Sequence, residues 1–181
     1  MSGVLNGTEA SEAYIKQAYP DENFLSQTPQ LQAINKWTKN LTLPPNVRLA
    51  ESRIPKNADQ RNILEKEIRQ AGILSSMGNV VYLIPEQGPY GKRLKDAVVN
   101  GVLFEFRTVT GNVRTFEWEF RDAKRKDNDV NVYINAEMDI SKAEARRRIG
   151  LVLKKHPEYT GKIVVSLNRG KTYFWDTSSF R

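Results

Sequence analysis

Asn100-Gly101 stands between two apolar runs, Ala97-Val98-Val99 and Val102-Leu103-Phe104. In that setting the dipeptide is the strongest short-range signal for a two-residue hairpin with a type I′ turn, because both central residues must take positive φ. The turn predicts a register for everything around it. Val99 pairs with Val102, Val98 with Leu103, Ala97 with Phe104, and Asp96 with Glu105. An aspartate is thus expected opposite a glutamate on two otherwise apolar strands. Directly opposed residues lie about 4.5–5.5 Å apart at Cβ, where like charges destabilise the pairing. Arg107, two residues beyond Glu105, is expected on the same face because side chains alternate along a strand.

A divalent cation between the two carboxylates would remove their repulsion. Mg²⁺ or Mn²⁺ is the expected cofactor, since hard cations are commonly held by one or two carboxylates together with waters and substrate phosphate. Such a cation supplies a metal-bound hydroxide and stabilises charge on a phosphate, and Arg107 would neutralise developing charge. The same residues allow a second reading. Asp96 then sits at a strand end on a solvent-exposed rim, and Glu105 makes a plain surface ion pair with Arg107 or a neighbouring lysine.

Around this hairpin the sequence alternates helix and strand. "ADQRNILEKEIRQAG" places Ile63, Leu64, Ile68 and Ala71 on one helical face, with Gly72 as the expected stop. "NVVYLIPE" reads as a buried strand. "GNVRTFEWEFRDAKRKD" is compatible with strand alternation but is read as a helix from about 116 to 126. "VNVYINA" reads as a strand. "SKAEARRRIGLVLKKHP" is a helix with Ser141 and Glu144 as a capping box, and the last stretch is a pair of strands about Asn168-Arg169-Gly170. This order predicts an α/β sandwich of two or three layers with a mixed central sheet, followed by a C-terminal helix and hairpin. Residues 1–55 hold five of the eight prolines and are read as an N-terminal arm. Short helices are expected around 8–19 and 29–39, and an extended linker over "LTLPPNVRLAESRIPKN". The remaining 56–181 form the expected functional domain.

Composition narrows the chemistry. There is no cysteine, which excludes disulfides, thiol nucleophiles and cysteine-based zinc sites. No apolar run approaches the roughly 20 residues that span a bilayer, so a soluble chain is expected. The net charge of +7 favours a polyanionic partner. Basic residues cluster beside the hairpin as Lys92, Arg93 and Lys95, and again as Lys124, Arg125 and Lys126. With Arg114, these are the expected nucleic-acid contacts. His156, the only histidine, precedes Pro157 at a helix end and is read as structural.

The order helix–strand–hairpin–helix–strand, with an acid on the first hairpin strand and Glu-x-basic on the second, resembles the PD-(D/E)xK nuclease superfamily and its αβββαβ core. More narrowly, "VVYLIPE…KDAVVNGVLFEFRTVTG" resembles the C-terminal nuclease domains of contact-dependent growth inhibition toxins and related polymorphic toxins. The resemblance covers roughly residues 58–176. It implies an endonuclease acting on tRNA rather than DNA in the bacterial cytoplasm, and a cognate immunity protein as partner. It assigns Asp96 to the motif aspartate, Glu105 to its glutamate and Arg107 to the place of its lysine. Glu67 is the expected additional acid from the first helix. Two departures stand out. Lys95 sits where the family often has proline, and Arg107 keeps the lysine's charge but cannot act as a base.

Two other functions remain open from the residues alone. One is a metal-independent ribonuclease of the barnase, colicin or EndoU type, with Thr108, Arg114 and Lys171 as the residues to test. The other is an inactive nucleic-acid-binding or assembly module that keeps the fold.

Overall fold

The structure is a computed structural model that describes residues 7–86, 95–168 and 170–181. Lys92 and Arg93 lie outside the described residues, as does Arg169. The chain divides into two compact units, Met1–Leu103 and Phe104–Arg181.

The first unit contains α1 (Gly7–Ala18), β1 (Phe24–Leu25), α2 (Thr28–Gln32), β2 (Val47–Ala50), α3 (Ala58–Ser76), β3 (Val81–Leu83) and β4 (Ala97–Val99). β1 and β2 pair antiparallel, β2 and β3 parallel, and β3 and β4 antiparallel. Tyr82 and Val98, opposed in the β3–β4 register, join Ile15 of α1 in one apolar cluster. Alternation turns Val81, Leu83 and Ala97 to the other face, and α3 packs against β2 and β3. Helices therefore cover both faces of this sheet.

The second unit contains β5 (Val102–Val109), whose residues from Phe104 onward belong to it, then α4 (Val113–Lys124), β6 (Asn131–Ala136), α5 (Lys142–Lys155), β7 (Ile163–Leu167) and β8 (Thr172–Trp175). β5 pairs parallel with β6, β6 parallel with β7, and β7 antiparallel with β8. Val132, Ile134, Ile163 and Val165 share one core with Phe116, Phe120 and Ala123 of α4 and with Ala145, Ile149 and Val152 of α5. Both helices thus cover the same sheet face. The expected α/β architecture with mixed strand directions is present, and from α3 onward the elements follow in the expected order.

Several local expectations are corrected. The stretch read as an extended linker carries β2, whose Val47, Leu49 and Ala50 are buried. The helix expected over 29–39 stops at Gln32, because the Asn35 side chain accepts from the backbone N–H groups of Trp37 and Thr38 and offers a turn in place of the next helical bonds. Gly72 lies inside α3 rather than ending it. A Cβ there would meet Pro44 at 3.1 Å, so the glycine serves close approach. The buried face of α3 runs through Leu64, Ile68, Ala71 and Leu74, while Ile63 at its margin is exposed. Helix α4 begins at Val113, where Asn112 caps it by accepting from Arg114 N and Thr115 N. Ser141 caps α5 by accepting from Glu144 N, but the Glu144 carboxylate bonds Arg147 and Arg148 and does not close the reciprocal box.

Candidate functional site

The turn at Asn100-Gly101 forms with both residues at positive φ, 48° and 83°. This is the combination a type I′ turn needs and glycine tolerates best. Asn100 holds the turn to its surroundings. Its N–H donates to Val80 O at 3.0 Å, its Oδ1 accepts from Val80 N, and its side-chain amide donates to Asn79 Oδ1.

Beyond the turn, in the second unit, the β5–β6 register sets Glu105 beside Val132 and Arg107 beside Ile134. Both side chains are therefore on the sheet face that α4 covers. Glu105 is fully buried. Its Oε1 accepts from Lys126 Nζ at 2.5 Å and lies 3.1 Å from Arg107 Nη1. Its Oε2 is also buried and meets no hydrogen-bond donor among the described residues. Leaving a buried polar atom unsatisfied costs about 1–3 kcal/mol, and more where the group is charged. An enclosed carboxylate with one open oxygen is a place where a ligand would bring a gain.

Arg107 gathers the acids of this face. Besides Glu105 it reaches Glu119 Oε2 (3.4 Å from Nε) and Asp122 Oδ2 (3.1 Å from Nη2), both carried by α4. Asp122 in turn accepts from Arg125 at 2.5 Å. Three carboxylates and three cations therefore balance, with Arg107 at the centre. Burial raises the pKa of Glu119; Arg107 opposes that shift and the neighbouring Asp122 adds to it.

A second acid cluster stands within the first unit, and its centre was invisible in the sequence. Arg53 follows β2 in a single turn of 3-10 helix, with its side chain 2% exposed. Nη1 donates to Ile84 O at 2.9 Å, Nη2 pairs with Glu67 of α3, and Nε lies 3.7 Å from Glu86 Oε1. Burial lowers the pKa of Arg53, and the charges of Asp96 and Glu86 raise it again. Asp96 is half-buried, and its carbonyl accepts from Ile84 N. Glu67 and Glu86 are thus paired with one buried guanidinium, and the charge of Asp96 acts on it as well. Nothing in "ESRIP" advertises this, because all three acids lie far along the chain.

Of the remaining expected contacts, Arg114 and Arg125 are exposed, Lys95 and Lys126 half-buried, and Lys124 buried. Burial lowers the pKa of Lys124, Glu158 raises it, and Arg121 and Arg125 lower it further. His156 Nδ1 lies 3.2 Å from Glu158 Oε1 at the end of α5. Among the described residues no group of three or more His, Asp or Glu side chains is arranged to hold a metal ion. No described helix is long and apolar enough to cross a membrane.

No protein-family model matches the chain, and no curated protein matches it. Among solved structures, a chain of the CdiA-CT/CdiI toxin and immunity complex from Burkholderia pseudomallei superposes with a TM-score of 0.52. The likeness is one of fold. It covers 68% of this chain and 92% of that one at 24% sequence identity.

Proposed function

We infer that this chain is a toxin-type nuclease domain that hydrolyses phosphodiester bonds with the help of a divalent cation, with RNA, and tRNA in particular, as substrate. The observation that carries the reading is the buried Glu105 carboxylate, with two cationic side chains at Oε1 and no donor at Oε2. The fold shared with a chain of a toxin and immunity complex and the net charge of +7 support it.

Mg²⁺ or Mn²⁺ fits what Glu105 offers, because a hard cation needs only one or two carboxylates when water and phosphate complete its shell. Glu105 would hold it through the open oxygen. Asp96 enters as the second ligand on the spacing of the Asn100-Gly101 turn alone. When bound, the cation supplies Lewis acidity and an activated water. Arg107 and Lys126 hold positive charge where a phosphate gains negative charge, the preorganised arrangement that favours a transition state over its ground state. Arg107 cannot take a proton from water, so its part is electrostatic. Glu67 stands with Arg53 as a positioning group. A cognate immunity protein, acting by covering the acidic centre, belongs to the same reading.

The test is cleavage of total tRNA and of plasmid DNA by the purified chain, with Mg²⁺, with Mn²⁺ and with EDTA. Metal-dependent tRNA cleavage that falls at least a hundredfold in Glu105→Gln and Asp96→Asn is expected, the size of a lost electrostatic contributor. Undiminished cleavage by both variants removes the carboxylates from the chemistry. Full activity in EDTA moves it to the cationic side chains.

A further inference from the structure

The chain has three tryptophans, and two are engaged. Trp37 lies under the Lys36 ammonium, and Trp175 is buried, stacks on Tyr173 and meets Phe180 edge-on. Trp118, on α4, is 55% exposed and has no ring or cation contact among the described residues. A single exposed ring needs no partner of itself; its setting is what would suit it to one.

Its neighbours on the helix say what kind. At 100° per residue, Arg114, Trp118, Arg121 and Arg125 fall within a 60° arc by helical-wheel geometry. The buried residues Phe116, Phe120 and Ala123 lie on the opposite side. The stripe from Arg114 to Arg125 is roughly 16 Å long at 1.5 Å per residue, the length of a few nucleotides. The Arg114 guanidinium has no hydrogen bond or ion pair among the described residues. Arg121 leans on Glu117 at 3.2 Å and Arg125 on Asp122 at 2.5 Å. Asp122 is itself held by Arg107, so the stripe runs directly into the Glu105 cluster.

We propose that this face of α4 is the substrate-docking surface, with an unpaired RNA base stacked on Trp118 and flanking phosphates on Arg114, Arg121 and Arg125. The proposal takes RNA as its substrate class from the nuclease reading above and adds the element that grips it. Every base has a face that can stack on an indole, and guanidinium groups on either side match the charge of the backbone. A duplex hides its base faces, so the surface selects unpaired segments. An acidic protein would use the arginines but would not need the ring.

Binding of a short unstructured RNA oligonucleotide is measured in EDTA, where cleavage plays no part, by quenching of tryptophan emission and by fluorescence anisotropy of a labelled strand. The parent chain is expected to be quenched on saturation. Trp118→Ala is expected to lose that quench and bind roughly tenfold more weakly, while Trp118→Phe keeps part of the affinity. Arg114→Ala is expected to flatten the dependence of log affinity on log salt by about 0.7, one phosphate contact on a single strand. Trp118 is exposed, so circular dichroism should show all three variants folded. Unchanged affinity in Trp118→Ala overturns the proposal, as does equal binding and quenching by duplex RNA of the same length. So does preferential binding of an acidic peptide. If tRNA is never cut but the quench and its loss are seen, the docking face stands and the nuclease reading falls. If tRNA is cut but Trp118→Ala binds as the parent does, the nuclease reading stands and the docking face falls.

Discussion

Lys126 Nζ sits 2.5 Å from Glu105 Oε1, joining the segment just after α4 to the middle of β5. The carboxylate is fully buried and the lysine side chain 20% exposed, so water screens this pair less than it would at the surface. Removing Lys126 leaves the buried carboxylate with Arg107 as its one remaining cation among the described residues, and taking away one partner of a buried pair costs more than the pair itself is worth. Lys126→Met is expected to lower the unfolding free energy by about 1–3 kcal/mol. The double substitution Glu105→Met, Lys126→Met should recover much of that loss, because two apolar side chains of similar size need no partner. Urea denaturation of the single and double variants checks both values.

Arg107 is the cation common to Glu105, Glu119 and Asp122. Arg107→Ala leaves Lys126 on Glu105 and Arg125 on Asp122 but takes the shared cation from all three carboxylates, and with it the ion pair of Glu119; protonation relieves the added repulsion. Its destabilisation should therefore be large at pH 7 and shrink as the pH falls through the carboxylate range. Arg107→Lys keeps the charge but not the fork, and one ammonium cannot span the three acids as a guanidinium does. It should fall between the parent and Arg107→Ala. Thermal unfolding of the three proteins between pH 4 and 7 distinguishes the order.

How much of this was readable in the sequence follows from how local each signal is. The Asn100-Gly101 turn, the α5 cap at Ser141 and the helix–strand alternation after Ala58 are written in adjacent residues, and the structure contains them. Strand β2 was hidden by Pro44 and Pro45, which mark a break in the chain but say nothing about the strand that begins at Val47. The β5–β6 register that puts Glu105 under α4 depends on a parallel partner nearly thirty residues away by sequence number, so no spacing rule announces it. Arg53 is the clearest loss. Its environment is made by α3, the end of β3 and the approach to β4, and only folding brings their charges to one guanidinium. Lys126 was legible as a cation, but its destination was not.

Glu119 gives a pH signature with a definite sign. Burial raises its folded-state pKa above the ordinary glutamate value, so in that window the native state holds more protons than the unfolded chain. Stability contributed by this group is therefore greatest at low pH and falls as the pH rises through the interval between the two values. Glu119→Gln removes the titration. The difference in Tm between parent and variant should shift in favour of the variant as the pH rises from 4 to 7, and a parallel pair of Tm–pH curves would show that Glu119 is not perturbed.

Arg53 is the buried cation paired with Glu67 and Glu86, and it should respond to substitution as a buried charge partner does. In Arg53→Met the Glu67 carboxylate, 12% exposed as a side chain, loses its cation, and Ile84 O loses its side-chain donor. Breaking a buried ion pair from one side typically costs about 3–5 kcal/mol, a large part of the stability of a domain this size. Adding Glu67→Gln to Arg53→Met removes the stranded charge and should return part of the loss. The measurement is the urea midpoint of the two variants at constant slope. If Arg53→Met unfolds at the parent's midpoint, the guanidinium is not holding these acids in solution. If it unfolds early and the second substitution rescues it, the cluster at Arg53 is a structural anchor for α3 and the approach to β4.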